Sequence, residues 1–597
     1  MCGILGFNFK SNESLKNLTK LLKNRGPNNT GTYNINNNSF GHTRLSIIDL
    51  KEEANQPMVF DDIILVFNGE IYNYKGLIKD ENLICKTSSD SEVLIRLYQK
   101  YGYEFLNKLN GAFSFCIYDI KKDLYFCARD RYGKKPFYFY HINTKFIFSS
   151  LIKPIIKAID YTPTLNKVAL SQYLQYFVPI GDNTFYTDIK KLEPSSYLIY
   201  EQNKLSIKKY YKIKTKKYIY NEEEALTNIE ETLLKSVESR LVSDVEVGSL
   251  LSGGIDSSLI SSIYSKLSNK SIQTFSVGYE THTKYSELPY AKLLSKHINS
   301  NHHEIVLNKQ NFIDSFEDVL DSMEEPHGDP ASIPLDYLCK HIKNCGIKTV
   351  LSGEGSDEIF LGYDNYAKFD KFYNFKQSLS TEQKEFMRLN LVSSLSKTNK
   401  ESDYIKRVLN DETIYNGFGE IFTYNQKKLL FKKVPTFKSI KEKSNHVDWM
   451  SYIDLKIWLG DALLSKVDKI SMNNGIETRN PFLDFNLVDL SFKIDSNLKL
   501  GNTNKYLLKK VASKYIPSEI INRSKKGFNS PYNEWLHEEF KDELLNTVLK
   551  ANNMHNLFNE EYIKEIFIQS KNNKLKQHFY VLFNFSLWYL KNYQNKT

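Results

Sequence analysis

Near its middle the chain reads Glu246-Val-Gly-Ser-Leu-Leu-Ser-Gly-Gly-Ile-Asp-Ser-Ser258. A β-prone run breaks at two glycines, and hydroxyl and acidic residues then open a helical pattern, which predicts a strand, a tight loop and a helix N-terminus. Glycines let the backbone pass close to a ligand, and the free N–H groups of the new helix face it with the positive end of the helix dipole. The stretch therefore predicts a phosphate site.

Two other phosphate motifs are excluded here. No Lys-Ser or Lys-Thr pair follows the glycines, as it does in the P-loop of kinases and GTPases, and no G-x-G-x-x-G stands nearby to indicate a dinucleotide fold. An ordinary polar turn is the bland alternative, and the hydroxyl and acidic residues after Gly254 favour a functional loop over it.

A second strand and Gly-rich turn follow at Val350-Leu-Ser-Gly-Glu-Gly-Ser-Asp-Glu358. Strands alternating with helices across this region predict a doubly wound parallel sheet, in which ligands bind at the carboxyl ends of the strands. Three carboxylates in five residues repel one another unless a cation joins them, although a solvated acidic turn is the alternative. We expect Asp256 and Asp357 to offer oxygen ligands suited to Mg²⁺.

The chain begins Met1-Cys2-Gly3. If Met1 is removed, Cys2 carries a nucleophile and a base on one residue, because its thiolate can attack a carbonyl while its neutral α-amine accepts the proton. A cysteine at this position can equally be a small hydrophobe that enters a first strand. Intact-mass measurement distinguishes a retained Met1 from a removed one.

The bulk properties describe a globular protein of several domains. Its 597 residues exceed one core at about one domain per 100 to 200 residues. The net charge of +10 is dispersed, which disfavours nucleic-acid binding. Six cysteines show no C-x-x-C pair, and we expect no histidine at zinc spacing from a cysteine, so a reducing cytoplasm fits. No apolar run reaches the length of a membrane helix, so no membrane association is expected.

The first third of the chain resembles the class II glutamine amidotransferase domain, over about residues 2–210. The resemblance rests on Cys2 together with polar residues beside short β-like runs, namely Arg44, Asn68, Gly69, Glu70 and Asp90. Taken alone, Asn68-Gly69 could be a hairpin turn and Asp90 a helix cap. The resemblance implies an α+β N-terminal-nucleophile sandwich (αββα).

This resemblance also implies roles for the same residues. Cys2 would attack the side-chain amide of glutamine, and Asn68 with the N–H of Gly69 would stabilise the oxyanion. Arg44 would hold the α-carboxylate of glutamine. Its ammonium would be held by two carboxylates, Glu70 and Asp90.

The rest of the chain resembles glutamine-hydrolysing asparagine synthetases, whose pyrophosphate loop splits ATP into AMP and pyrophosphate. The resemblance rests on the two Gly-rich loops and on the stretch from Ser465 to Asp484. It implies ATP and Mg²⁺ as cofactors, Glu354 as general base or ammonia-orienting carboxylate, and Lys525 as a cation for the developing charge. The implied ATP-binding residues are Leu251, Ser252, Gly253, Gly254, Asp256, Ser257, Val277, Ser352 and Gly353.

The expected reaction uses glutamine, aspartate and ATP and makes asparagine, AMP and pyrophosphate. A related amidotransferase that acts on another carboxylate, such as a uronic acid sugar or a natural-product precursor, is the alternative. A non-catalytic or nucleic-acid-binding protein is a further alternative, which two complete sets of candidate residues disfavour. The sequence does not determine oligomeric state, and a homodimer is one option.

We predict a linker at 211–222 and an α/β doubly wound domain with a helical C-terminal part at 223–597. A helical, Lys-rich insertion of unknown function is predicted near 365–450. The chain departs from the family at Leu151, where an acidic residue is usual. We expect this departure to bear on contacts between the two domains.

Overall fold

The computed structural model describes residues 1–438, 440, 442, 445–527 and 530–593. A few residues of the predicted insertion and the end of the predicted second domain lie outside this set. The domain boundaries drawn from the sequence stay predictions.

Residues 2–209, all of them described, form two antiparallel sheets and five α-helices. The strands are β1 Cys2–Phe7, β2 Asn29–Ile35, β3 Asn38–Arg44, β4 Met58–Phe60, β5 Ile63–Ile71, β6 Gly111–Asp119, β7 Leu124–Arg129, β8 Tyr138–Ile142, β9 Lys145–Ser149, β10 Ile189–Lys191, β11 Ser196–Glu201 and β12 Lys204–Lys209. The helices are α1 Leu15–Lys20, α2 Tyr74–Asp80, α3 Asp90–Tyr101, α4 Ile152–Ala158 and α5 Lys167–Tyr176. We call this region the N-terminal part.

The two sheets of the N-terminal part are stacked between helices. Their strand orders are β10-β8-β9-β1-β3-β2 and β12-β11-β7-β6-β5-β4. Helices α1 and α4 pack on the first sheet and α3 packs on the second. Ile4 lies in the apolar layer between the sheets and Leu5 in the layer beneath the helices, because successive strand residues point to opposite faces. The predicted αββα sandwich is confirmed.

From Glu222 onward, the described residues form a five-stranded parallel sheet, in the order β15-β14-β13-β16-β17, and many helices. The strands are β13 Val247–Leu250, β14 Gln273–Tyr279, β15 Asn301–Leu307, β16 Thr349–Leu351 and β17 Glu477–Arg479. The helices are α6 Glu222–Arg240, α7 Ile255–Leu267, α8 Leu288–His297, α9 Lys309–Met323, α10 Ser332–Asn344, α11 Ser356–Phe360, α12 Asp364–Ser378, α13 Thr381–Asn390, α14 Val392–Leu395, α15 Lys400–Leu409, α16 Tyr424–Leu430, α17 His446–Ile453, α18 Leu464–Asn473, α19 Phe485–Lys493, α20 Ser496–Leu500, α21 Tyr506–Ala512, α22 Ser518–Ile521, α23 Tyr532–Phe540, α24 Glu543–His555, α25 Glu560–Lys571 and α26 Lys576–Tyr593. A π-helical stretch, Asp454–Leu463, joins α17 to α18. We call this region the C-terminal part.

The parallel sheet is buried on both faces. Val350 packs in the cluster that contains residues of α9 and α10, while the next residue, Leu351, packs in the cluster that contains residues of α6 and α7. Burial on both faces is typical of parallel sheets covered by crossover helices. The prediction of a doubly wound sheet with a helical C-terminal part is confirmed. No helix among the described residues is both long and apolar enough to cross a membrane.

The predicted insertion contains helices α12 to α16, and it contacts both the N-terminal part and the C-terminal helices. The N–H groups of Ile421 and Phe422 donate to the carbonyl oxygens of Gln175 and Leu174 in α5, at 2.8 and 3.1 Å. Helix α16 contacts α25. This segment therefore forms part of the interface between the N-terminal and C-terminal parts, which we call the joint.

A carboxylate from the C-terminal part caps helix α4 of the N-terminal part. The side chain of Leu151, at the N-cap position, makes no capping hydrogen bond. Glu324 instead accepts from the backbone N–H of Ile152 at 3.0 Å and of Lys153 at 2.8 Å. The first N–H groups of a helix need such an acceptor, so a residue distant in sequence does what Leu151 cannot.

Candidate active sites

Cys2 lies at the first position of β1, beside the paired strand β3. Its backbone N–H donates to Asn68 Oδ1 at 3.1 Å, and its carbonyl accepts from Arg25 Nε at 3.1 Å. The β1–β3 register places Cys2 opposite Arg44. The predicted nucleophile is thus fixed between two strands of the first sheet and a residue of the second.

The residues predicted to bind glutamine surround one pocket. Cys2, Arg44, Gly69, Glu70 and Asp90 all line it, and Asn68 is bonded to Cys2 at its edge. Met1 also lines the pocket, with 2% of its surface exposed. With Met1 present, the free space is about 20 Å³, which accommodates roughly one water molecule.

The floor of this pocket is acidic and buried. Burial raises the pKa of Glu70 well above its ordinary value, and the neighbouring Glu477 and Asp90 raise it further. Burial also raises the pKa of Asp90 to about 6, although its carboxylate accepts from the N–H of Ile71 at 2.9 Å. A cation that enters the pocket would stabilise the ionised form of these carboxyl groups, so the acidic floor suits an ammonium group.

Arg44 reaches the pocket but also holds the loop above it. Its two terminal nitrogens donate to Lys51 O and Asn55 Oδ1, each at 2.8 Å, and to the carbonyls of Ile48 and Asp49. These bonds fix the guanidinium beside the pocket. Its role toward a carboxylate of glutamine stays a prediction.

Two residues that sequence reasoning misses, Glu477 and Arg479, connect this pocket to the C-terminal part. Glu477 Oε2 lies 3.4 Å from the α-amine of Met1, and its other oxygen accepts from Arg479 Nε at 2.6 Å. Arg479 NH2 lies 3.7 Å from Glu70, while the carbonyl of Arg479 accepts from the N–H of Ser352 at 2.9 Å. The sequence signal for these two residues was a pair of opposite charges, two residues apart, on one short buried strand.

The predicted phosphate loop lies between β13 and α7. Gly253 has φ +75°, and a Cβ there would approach Ala291 N within 2.7 Å, so only glycine fits without strain. The hydroxyl oxygen of Ser252 accepts from the N–H of Gly254 at 3.2 Å and lies 3.0 Å from the hydroxyl of Ser257. The loop is therefore shaped by glycine geometry and braced by the two serines.

The second Gly-rich loop lies directly beside the first, as predicted from the shared sheet edge. A Cβ on Gly353 would stand 3.0 Å from both the Cβ of Asp256 and the N of Ser257. Ser356 donates its hydroxyl to Asp256 Oδ1 at 2.6 Å. Of the predicted ATP contacts, Leu251 follows β13, Ser352 follows β16 and Val277 lies on neighbouring β14.

Asp256 and Asp357 share the ammonium of Lys505, a residue that sequence reasoning also misses. Lys505 Nζ lies 2.5 Å from Asp256 Oδ2 and 2.7 Å from Asp357 Oδ1, and Lys525 bonds the same oxygen of Asp357. Burial alone would raise the pKa of Asp357, but Lys505 and Lys525 hold it below its ordinary value. A lysine before an ordinary apolar helix pattern carries no local signal of such a role.

Glu354 lies half-buried in the same loop. Its Oε2 accepts from Asn480 Nδ2 at 3.3 Å. Burial raises the pKa of Glu354, while Lys466 lowers it. A carboxylate whose pKa is raised holds a transferred proton more readily, as a general base must.

Comparisons with known proteins agree with the two-site organisation. The family model of the glutamine amidotransferase domain matches residues 1–211. That of asparagine synthase matches residues 228–590. The chain thus has the build of a glutamine amidotransferase joined to a second enzyme domain, and it belongs to the asparagine synthase family.

Three curated relatives extend along most of the chain. Asparagine synthetase [glutamine-hydrolyzing] 1 of Bacillus subtilis is 31% identical, over 92% of this chain and 90% of its own. Asparagine synthetase B of Escherichia coli is 28% identical, over 89% and 82%. Amidase chyE of Penicillium rubens is also 28% identical, over 89% and 87%. An amidase and two asparagine synthetases thus have similar sequence identity to this chain.

Proposed function

We propose that the protein is a glutamine-dependent asparagine synthetase. The observation that carries this proposal is the buried connection from Glu70, which lines the Cys2 pocket, through Arg479 to the loop at Ser352. Such a connection suits an enzyme in which one site makes ammonia and the other consumes it. The similarity to two asparagine synthetases and the presence of Glu354 and Ser356 favour aspartate as the acceptor.

The first half-reaction begins with removal of Met1, which frees the α-amine of Cys2 and vacates the pocket. The thiolate of Cys2 attacks the amide carbon of glutamine, and the α-amine takes the thiol proton. Asn68 and the N–H of Gly69 stabilise the oxyanion. The amide nitrogen takes this proton from the α-amine and leaves as ammonia. Water then hydrolyses the thioester to give glutamate and free Cys2.

Glutamine is oriented by charge in this scheme. Its ammonium meets Glu70 and Asp90, whose buried carboxylates gain a counter-ion, and Arg44 faces its α-carboxylate. The residues needed for orientation and for chemistry therefore line the same pocket.

The second half-reaction activates a carboxylate. An oxygen of the aspartate β-carboxylate attacks the α-phosphorus of ATP, and pyrophosphate leaves. Backbone N–H groups of the 252–257 loop hold phosphate oxygens, and Lys505 and Lys525 offset the negative charge that develops on pyrophosphate.

The carboxylate oxygens of Asp256 and Asp357 fit Mg²⁺, a cation that prefers oxygen ligands. Both carboxylates already gather around the ammonium of Lys505, so this place in the fold accommodates positive charge. When bound, Mg²⁺ would neutralise phosphate oxygens and position the leaving pyrophosphate.

Amide formation follows at the acyl-adenylate. Ammonia attacks the activated carbonyl carbon, AMP leaves with the electrons of the broken C–O bond, and Glu354 accepts the proton released from nitrogen. Ammonia must arrive unprotonated, so a shielded passage is part of the proposal. A cavity of about 40 Å³ lies at the joint and is lined from both parts, among others by Tyr138 and Asp468.

A product assay tests the proposal. Purified full-length protein given glutamine, Mg-ATP and aspartate is expected to yield asparagine, AMP and pyrophosphate in equal amounts. Cys2→Ala should abolish use of glutamine while free ammonia still supports synthesis. AMP formation that does not depend on aspartate would contradict the substrate assignment.

The second candidate is amidation of another carboxylic acid. The relative named as an amidase, at the same 28% identity as the Escherichia coli synthetase, favours keeping it. A screen of carboxylic acids for glutamine-dependent AMP release separates the candidates, because only the true acceptor supports the second half-reaction.

A further inference from the structure

Three side chains that suit a soft metal ion converge at the edge strand of the parallel sheet. His303 lies on β15, His341 in the last turn of α10, and Cys345 directly after α10. Cys345 Sγ is 3.7 Å from His341 Nε2 and 4.0 Å from His303 Nδ1, and all three atoms lie within 4.8 Å of one another. The expectation that no histidine stands at metal spacing from a cysteine is wrong, because His341 and Cys345 are four apart.

The orientation of His303 is set by a second bond on its other nitrogen. His303 Nε2 lies 3.0 Å from Gln273 Oε1, an amide oxygen that can only accept. The ring proton is therefore on Nε2, and the lone pair of Nδ1 faces Cys345. A histidine that binds metal through one nitrogen and donates from the other to a protein oxygen is the usual arrangement at metal sites.

The two imidazole rings are also held by packing. Phe275 stacks on His303 with centroids 4.8 Å apart and meets the ring of His341 edge-on at 6.4 Å. These ring contacts hold both imidazoles beside the sulfur of Cys345.

We propose that His303, His341 and Cys345 form a binding site for a soft divalent transition metal ion, Zn²⁺ above all. Bond lengths of about 2.0 Å to nitrogen and about 2.3 Å to sulfur put tetrahedral N and S ligands about 3.5 Å apart. The observed N–S separations of 3.7 and 4.0 Å are close to this value. Imidazole and thiolate together select Zn²⁺ over Mg²⁺, which prefers oxygen. Cys345 is exposed, so the fourth position is open to solvent.

The proposed metal site lies at the opposite end of the parallel strands from the two Gly-rich loops. His303 lies near the amino end of β15, and Cys345 precedes β16, whereas both Gly-rich loops follow the carboxyl ends of parallel strands. A metal ion here would tie the end of α10 to the edge strand. Bound metal should therefore raise thermal stability and leave the turnover of ATP unchanged.

Cobalt substitution of the full-length protein tests the site. Co²⁺ added to the metal-free protein should give one equivalent of a thiolate-to-cobalt charge-transfer band, and Zn²⁺ should displace it. Cys345→Ser should remove that band, and His341→Gln should weaken Zn²⁺ binding at least about tenfold in equilibrium dialysis. Zn²⁺ should raise the thermal midpoint of the parent protein but not that of Cys345→Ser.

Two variants serve as matched controls. Cys85→Ser changes a partly buried cysteine of the N-terminal part, and His297→Gln changes an exposed histidine at the end of α8. Both should keep the cobalt band and the affinity for Zn²⁺. A band that survives in Cys345→Ser, or Zn²⁺ uptake equal in the parent protein and His341→Gln, would overturn the proposal.

Discussion

At the scale of single residues, charge balance in the second site depends on Lys505. This lysine is 5% exposed and meets the carboxylates of both Asp256 and Asp357. Removing one partner of a buried ion network leaves uncompensated charge, which costs about 3–5 kcal/mol. Lys505 therefore balances the charge of these carboxylates, and the proposed function also gives it a role in the chemistry.

Replacing this lysine gives a direct prediction. Lys505→Met should lower pyrophosphate–ATP exchange by about a hundredfold or more, because a preorganised charge at the leaving group is lost. Lys514→Met is the control, since Lys514 makes an exposed ion pair with Glu230 that is worth at most about 1 kcal/mol. Exchange at the parent rate in Lys505→Met would rule out the assigned role.

The pH dependence of glutamine use follows from Asp90. Burial raises its pKa to about 6, so below that pH the carboxyl is neutral and cannot pair with an ammonium group. The KM for glutamine should therefore rise as pH falls below about 6, while Asp90→Asn should have a high KM at every pH. Steady-state glutaminase assays across pH check this, and an unchanged profile in Asp90→Asn would exclude Asp90 as the cause.

At the scale of elements, the two adjacent glycines of the predicted phosphate loop differ in whether they tolerate a side chain. Gly253 has positive φ and leaves an added Cβ only 2.7 Å from Ala291 N, whereas a Cβ on Gly254 would meet Ser252 Oγ at 3.3 Å. Gly253→Ala should strain the loop by at least about 1–3 kcal/mol and impair ATP binding. Gly254→Ala is the matched control, and calorimetric titration with ATP should find it much the less affected.

The π-helical stretch carries a buried carboxyl at its start. Asp454 accepts from the hydroxyls of Tyr366 at 2.7 Å and Tyr415 at 2.6 Å and from the N–H of Phe418 at 2.7 Å. Burial nevertheless raises its pKa to about 7. The folded protein therefore keeps a proton that the unfolded chain releases near its ordinary pKa.

This proton makes stability depend on pH. The contribution of Asp454 is fully present below about pH 4 and is lost as pH rises toward about 7, by as much as about 4 kcal/mol. Asp454→Asn should flatten this part of the profile of unfolding free energy against pH. Asp182→Asn, which changes an exposed carboxylate, should not alter the profile. An equal slope in both variants would contradict the prediction.

Local signals account for what the sequence predicts well. The strand, glycine loop and helix at 247–258 follow from neighbours in the chain, and so does the acidic start of α6, where Asn221 caps the helix. Glu477 and Lys505 escape prediction because their partners, Met1 and Asp256, are hundreds of residues away. Contacts of that kind are set by packing of the two parts, which no periodicity records.

At the scale of the whole molecule, buried charges hold the two parts together. Asp468 of α18 pairs with Arg25 at 2.8 Å and with Lys135 at 3.3 Å, and Arg25 in turn bonds the carbonyl of Cys2. A carboxylate of one part thus neutralises two cations of the other, next to the proposed nucleophile Cys2. The joint and the first site share residues.

Weakening the ion pairs of this joint should uncouple glutamine hydrolysis from amide formation. Asp468→Asn leaves two buried cations poorly compensated, so more glutamate should form per molecule of amidated product. Measuring both products in one reaction checks the ratio. Asp321→Asn, which affects only an exposed ion pair with Lys591, should keep the parent ratio, and a parent ratio in Asp468→Asn would show that the joint does not control coupling.

The cap that Glu324 supplies to α4 limits how freely the two parts can be recombined. An N-terminal part produced alone would carry Leu151 at the head of a helix whose first N–H groups have lost their acceptor. A chimera that joins this N-terminal part to the C-terminal part of a relative would need a carboxylate at the matching place. Leu151 and Glu324 therefore have to be considered together in any such chimera, and a Leu151→Asp substitution would supply the missing acceptor from within the N-terminal part.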